Sequence, residues 1–189
     1  MSISDVSNPL DILTYLEKNI EYGWIGKDGK KRINEMKDFR KYYQILSVED
    51  TIKNKVGTCI EQVGLIKYFL DKLNIKSKMF CTRVYEDETF NKMNEPERMH
   101  CFILFYLNNY VYQIEHPNPD EKGIYIYKDE ADAISKISEI YEQMTKNEYK
   151  RKKIKRKGNI RTLTEFFEIK PGLTFKEFNI YINSLDKRK

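Results

Sequence analysis

The sequence predicts an α+β fold in which a central helix packs on an antiparallel sheet. Two stretches carry that prediction. The first, GTCIEQVGLIKYFLDKL, places Cys59, Val63, Ile66, Leu70 and Leu73 along one helical face. The second, MHCFILFYLNNYVYQIEH, reads as two strands joined through Asn108 and Asn109, a residue type that tolerates positive φ in a tight turn. With 40% hydrophobic and 13% aromatic residues the chain is apolar enough to fold, and its 189 residues can bury one substantial core rather than two.

In chain order, Ser7 or Asn8 followed by Pro9 opens a helix from Leu10 to about Ile20, with Leu10, Leu13, Leu16 and Ile20 as its stripe. EYGWIGKDGKKR, punctuated by glycine, reads as a loop anchored by Tyr22 and Trp24. Residues 33–46 have helical composition, and Ser47 with Asp50 offers a cap for a short helix ending before Gly57, which is placed to reverse the chain. Thr58, with Glu61 three residues later, forms a capping box for the central helix. Asn74 breaks that helix. KSKMFCTRVYE then reads as a strand, and DETFNKMNEPER as a polar connection and candidate lid. After the hairpin, KGIYIYK adds a strand, and Asp129 to about Met144 a helix striped by Ala133, Ile137, Ile140 and Met144. The last part holds LTEFFEI, a Pro171-Gly172 turn and an amphipathic helix from Thr174 to Leu185. The expected organisation is a domain over residues 1–145 and a basic extension over 146–189, whose terminal helix docks on the core.

Charge separates the same two parts. Residues 1–145 carry 20 basic and 24 acidic side chains, whereas residues 146–189 carry 14 basic and 5 acidic ones. Three cysteines, Cys59, Cys81 and Cys101, form no CxxC unit, and so odd and low a count fits free thiols in a reducing compartment such as the cytoplasm. No apolar run approaches a membrane span, and the N-terminus lacks the pattern of a secretory signal.

The chemistry begins at Cys59. Its capped position puts the thiol among first-turn amides that lack helical partners, at the positive end of the helix dipole. A thiol there loses its proton below the free value of about 8.5. The plainer reading is a buried thiol that only fills space. A nucleophilic cysteine needs a base, and the base an orienting partner. The only histidines are His100 and His116. A turn on Asn108-Asn109 sets Phe102 opposite Glu115 and His100 opposite Pro117. His100 and Glu115 then lie diagonally on one face of the pair, and His116 points to the other. That makes Cys59 the nucleophile, His100 the base and Glu115 its partner, and a one-residue slip would exchange the roles.

The order GTCIEQVGLIKYFLDKLNIKSKMF, then MHCFILFYLNNYVYQIE, resembles the transglutaminase-like superfamily, which shares a papain-type catalytic arrangement. In that family the cysteine starts a core helix, the histidine begins a following strand and an acidic residue sits on the neighbouring strand. Cys59, His100 and Glu115 match these positions. The commoner pattern follows the histidine with a small residue and tryptophan, where this chain has Cys101 and Phe102, and ends in aspartate rather than Glu115. Asp120 is an alternative acid, and His116 or Asn118 alternative polar partners. The resemblance spans roughly residues 45–130. It implies acyl transfer at an amide, ester or thioester, with hydrolysis favoured over crosslinking and a peptide, protein or small amide as substrate. The amide of Cys59 would supply one oxyanion donor, and Tyr22, Trp24 or Gln44 a second. A noncatalytic interaction module of the same fold is the alternative.

Two other chemistries compete with this one. Cys59, His100, Cys101 and His116 are zinc-type ligands, but they lack paired spacing and alternate in face, so neither a metal nor a cofactor is expected. Lys150, Arg151, Lys152, Lys153, Lys155, Arg156 and Lys157, interrupted by Ile154, make a basic patch, and residues 146–161 a candidate polyanion contact for a nucleic-acid-associated protein.

Overall fold

The computed structural model describes residues 1–86, 95–151 and 159–186. Its first helix, α1 (Pro9–Asn19), starts where the sequence places it. Asn8 caps it by accepting from the amides of Leu10 and Asp11, and Ile12, Leu13, Tyr15 and Leu16 turn inward. The next segment departs from the expected loop. Glu21–Ile25 forms β1 and Lys31–Ile33 forms β2, paired antiparallel through Trp24 and Arg32. Only Phe39–Tyr42 of the next stretch is helical (α2). Ser47 caps α3 (Val48–Asn54), and Lys55, rather than Gly57, takes the left-handed turn after it. Val56–Gly57 (β3) then runs parallel to β1, setting Gly57 beside Tyr22. Gly57 is required by close approach, since a Cβ there would lie 2.8 Å from the Glu61 Cβ.

The central helix, α4 (Cys59–Lys72), is buried without a break from Cys59 to Ile66. Unbroken burial means that partners cover it on all sides rather than along one stripe. Asn74, with φ of 55°, ends it. The sheet that follows has the order β7-β6-β5-β4-β8 and is antiparallel throughout, with β4 as Ser77–Glu86, β5 as Arg98–Leu107, β6 as Tyr110–Glu115, β7 as Gly123–Tyr127 and β8 as Asn159–Phe166. Cys101, Ile103 and Phe105 face the core under α4, and Phe102 and Leu104 face a second core under α5 (Glu130–Arg151). The sheet is therefore sandwiched between the two helices.

The boundary expected after residue 145 lies within α5, and the segment beyond it contributes β8, the strand paired with β4 from Met79↔Phe166 to Glu86↔Asn159. The terminal helix α6 (Phe175–Asp186) buries Phe178 and Ile182 against the same core, so residues 159–186 complete the fold. No helix among the described residues is long and apolar enough to cross a membrane.

Candidate active site

Three elements meet at the entry end of β5. The box at the head of α4 closes as the sequence suggests: Glu61 accepts from the Thr58 amide at 2.9 Å and from its hydroxyl at 2.5 Å. The Tyr43 hydroxyl at 2.7 Å and the Leu46 amide at 3.2 Å also donate to Glu61, fixing a buried carboxylate with four donors. That anchored turn fixes Cys59 at the first helical position, 8% exposed at the wall of a cleft.

The hairpin supplies the other two groups. Asn108 and Asn109 both take positive φ, the geometry of a two-residue turn, and Leu104 pairs with Gln113. Continued to the far end, this register brings His100 Nε2 to 3.1 Å from Glu115 Oε2. Glu115 accepts only, so Nε2 donates to it and Nδ1 is left for the thiol. The Cys59 thiol lies beside Cys101 and His100, and its interaction with each lowers its proton affinity well below the usual value, against burial. Burial opposes the His100 cation, but the charge of Glu115 and the contact with Cys59 carry it up to about 10. Both shifts favour the charged form of each group.

Glu115 is held from several directions. The Asn118 amide donates to Oε1 at 3.0 Å, while Gln113 Nε2 at 3.0 Å and the Tyr141 hydroxyl at 3.4 Å reach Oε2. The Tyr141 ring also stacks on His100, with centroids 4.1 Å apart and planes inclined by 24°. Gln113 is itself oriented by the Tyr127 hydroxyl, which donates to its Oε1 at 2.8 Å. Sequence reasoning missed Gln113 and Tyr141. Gln113 was within reach, since it lies two residues from Glu115 on one strand face. Gln113→Leu keeps the volume but strips both bonds, and should cost about 1–3 kcal/mol in a thermal melt, because buried polar groups lose their partner.

The remaining candidates divide. Tyr22 lines the cleft, and burial with the Cys59 charge keeps its phenol protonated and able to donate. Trp24 does not line it: its indole donates to the Glu35 carbonyl at 2.7 Å within an aromatic cluster with Phe39 and Tyr43. Gln44 is also turned elsewhere, donating to the Gly172 carbonyl at 3.1 Å. Neither side chain is placed to hold an oxyanion at Cys59. His116 binds Gln62 through Nδ1 at 2.7 Å, and burial holds it neutral with a pKa near 4. Asn118 is buried and serves Glu115 through its backbone, whereas Asp120 is exposed on the turn beyond. In the basic set, Lys150 and Arg151 are exposed on α5, and Lys152, Lys153, Lys155, Arg156 and Lys157 lie outside the described residues. Arg161 is an internal clasp, donating to the Ser138 carbonyl at 2.6 Å and to Glu142 at 3.0 Å.

The cleft has a volume of about 1170 Å³ and runs past Cys59 and His100 between Tyr22, Arg98, His116 and Phe175. Its walls mix apolar and charged groups, among them Ile20, Ile60, Phe175, Arg98 and Glu97.

No family model matches this chain, and no curated protein matches it. Solved structures similar to it include an arylamine N-acetyltransferase from Bacillus cereus, described as having a Cys-His-Glu catalytic triad. Identity is 15% and the TM-score 0.34, over 61% of this chain and 41% of that one. Another is a candidate cysteine protease from Cytophaga hutchinsonii, at 16% identity and a TM-score of 0.38, over 90% of this chain and 49% of that one. The chain spans less than half the length of either. Its α+β fold carries Cys59 at a helix start, His100 on the following sheet and Glu115 on the adjacent strand, an order that resembles the transglutaminase-like, papain-type arrangement.

Proposed function

We propose that the protein is a cysteine-dependent acyl-transfer enzyme that cleaves an amide, ester or thioester and passes the acyl group to water. The observation that carries this reading is the juxtaposition of Cys59 with His100 at the wall of an open cleft, with His100 hydrogen-bonded to Glu115. The Cys59 thiolate attacks the carbonyl carbon. The oxyanion that forms is received by the first-turn amide of Cys59, with the Tyr22 hydroxyl as the second donor. His100 gives its Nδ1 proton to the leaving group, and an acyl-enzyme remains. His100, now neutral, takes a proton from water as that water attacks, and thiolate and imidazolium are restored. Glu115 keeps the ring in one tautomer and compensates its charge, as the third member of such a set does.

The test is the pH dependence of alkylation by iodoacetamide, with each cysteine followed by peptide mass spectrometry. Cys101 touches Cys59, so all three thiols stay in place. Cys59 is expected to react at pH 6 nearly as fast as at pH 8, while buried Cys81 and Cys101 stay unmodified until the protein unfolds. A Cys59 rate that climbs tenfold per pH unit up to about 8.5 is that of an ordinary thiol and sinks the reading. Activity on a model ester should persist through neutral pH. It should fall as pH passes about 10, where His100 loses the proton that the leaving group needs.

A further inference from the structure

Catalysis as described uses one thiol, yet three lie together. Cys101 follows His100 on β5 and faces the other way, into the core beneath α4, where its thiol meets Cys59. Directly across the strand pair, Cys81 of β4 is the register partner of Cys101, which places the two thiols side by side. All three are free and buried, and only Cys59 reaches the cleft. A space-filling role needs a small apolar residue at position 101 and does not call for a sulfur against the reactive one.

We propose that Cys59 and Cys101 form a peroxide-sensitive dithiol site, in which Cys101 captures oxidised Cys59 as a reversible disulfide. The step draws on the activated Cys59 of the proposed function and on hydrogen peroxide as oxidant. The Cys59 thiolate attacks one peroxide oxygen and the O–O bond breaks. Cys59 becomes a sulfenic acid, and the departing hydroxide takes the His100 proton to leave as water. The Cys101 sulfur then attacks the Cys59 sulfur. The S–O bond breaks, and the released hydroxide carries off the Cys101 proton as a second water. Two thiols are oxidised by two electrons in all, and one peroxide is reduced to two waters. The step requires the two sulfurs to close to a bond length of about 2.05 Å. Burial holds the Cys101 thiol protonated, which keeps it from meeting peroxide first. Capture at Cys59 would block acyl transfer and shield the nucleophile from irreversible oxidation to sulfinic acid.

Trypsin separates the three cysteines into the peptides 56–67, 79–83 and 99–122. Reduced full-length protein is treated with equimolar hydrogen peroxide, blocked with N-ethylmaleimide in denaturant and mapped without reductant. The expected result is a linked pair of peptides 56–67 and 99–122, loss of two of the three thiols and full return on adding dithiothreitol. In Cys101→Ser treated with at least two equivalents of peroxide, one for each oxidation step, Cys59 should instead collect as sulfinic acid that dithiothreitol does not reverse. In Cys81→Ser the link should form as before. A link between 79–83 and 99–122, or sulfinic acid at Cys59 in the unsubstituted protein, overturns the proposal. Alkylation of the same reduced sample separates the two failures. Fast alkylation of Cys59 at pH 6 without a link rejects the dithiol and leaves the acyl-transfer reading standing. Slow alkylation without a link rejects both.

Discussion

Replacing His100 with alanine is expected to slow Cys59 alkylation at pH 6 by at least about 100-fold. Without the ring, the thiol keeps its neighbour Cys101 but loses its cationic partner, and burial still opposes its ionisation. A thiol whose pKa returns to about 8.5 or above is less than about 1% thiolate at pH 6. Acyl transfer should fall further, because the group that protonates the leaving group and activates water is gone, a role worth roughly 10²–10⁴-fold. The substitution also leaves Glu115 without Nε2 and Tyr141 without its stacking partner, so fold must be checked by circular dichroism. Glu115→Gln gives a graded control. It removes the charge that raises His100 and keeps the side chain's volume. Its upper limit of activity should therefore move down from about pH 10, with less loss at neutral pH than in His100→Ala. Equal alkylation rates in the unsubstituted protein and both variants would show that Cys59 owes nothing to this pair.

How much of this could be read in advance depended on whether a residue's partner is local. Thr58 and Glu61 lie within one helical turn, so the position of Cys59 was legible from their spacing. Asn108 and Asn109 are adjacent, and their turn fixes the β5–β6 register, which carries Glu115 to the His100 face. The N-cap at Asn8 and the break at Asn74 were local in the same sense. What failed were pairings between distant segments. Tyr22 and Trp24 lie on a strand that exists because β2 and β3 flank it, and a run rich in lysine and glycine gives no period-2 signal. Strand β8 was hidden because its apolar content is modest and it directly follows a charge run; β4 supplies its pairing. On α5 the apolar stripe in the sequence runs through Ile140, whereas the buried line is Ala133, Ile137, Tyr141 and Thr145. A tyrosine reads as ambivalent in sequence, and only the sheet beneath it shows that its ring covers His100. Gln44 and Trp24 failed as oxyanion donors for a related reason: each had a carbonyl partner that spacing could not reveal.

The largest expected effect on stability comes from Arg83, which lies on β4 with none of its surface exposed. Its guanidinium reaches Asn183 at 2.5 Å, Asn179 at 3.1 Å, Thr164 at 2.8 Å and Asp186 at 3.1 Å, and so joins β4 to β8 and to three positions of α6. Arg83→Met keeps most of the volume but withdraws the donors, and leaves Asp186 without the buried half of its ion pair. Removing one member of such a pair costs about 3–5 kcal/mol, because the other stays poorly solvated. For a chain of this size that corresponds to a fall in Tm of roughly 6–20 °C. Asp186→Asn should cost clearly less, since that carboxylate is 19% exposed and an amide can still accept from Arg83. The effect should reach the site as well. α6 begins at Phe175, which lines the cleft with the Arg40 guanidinium 4.9 Å from its ring centroid. Limited proteolysis of Arg83→Met at 25 °C should cut within residues 167–186 before any cut in α4. A melt unchanged by Arg83→Met would mean that the apolar contacts of Phe178 and Ile182 alone hold the helix in place.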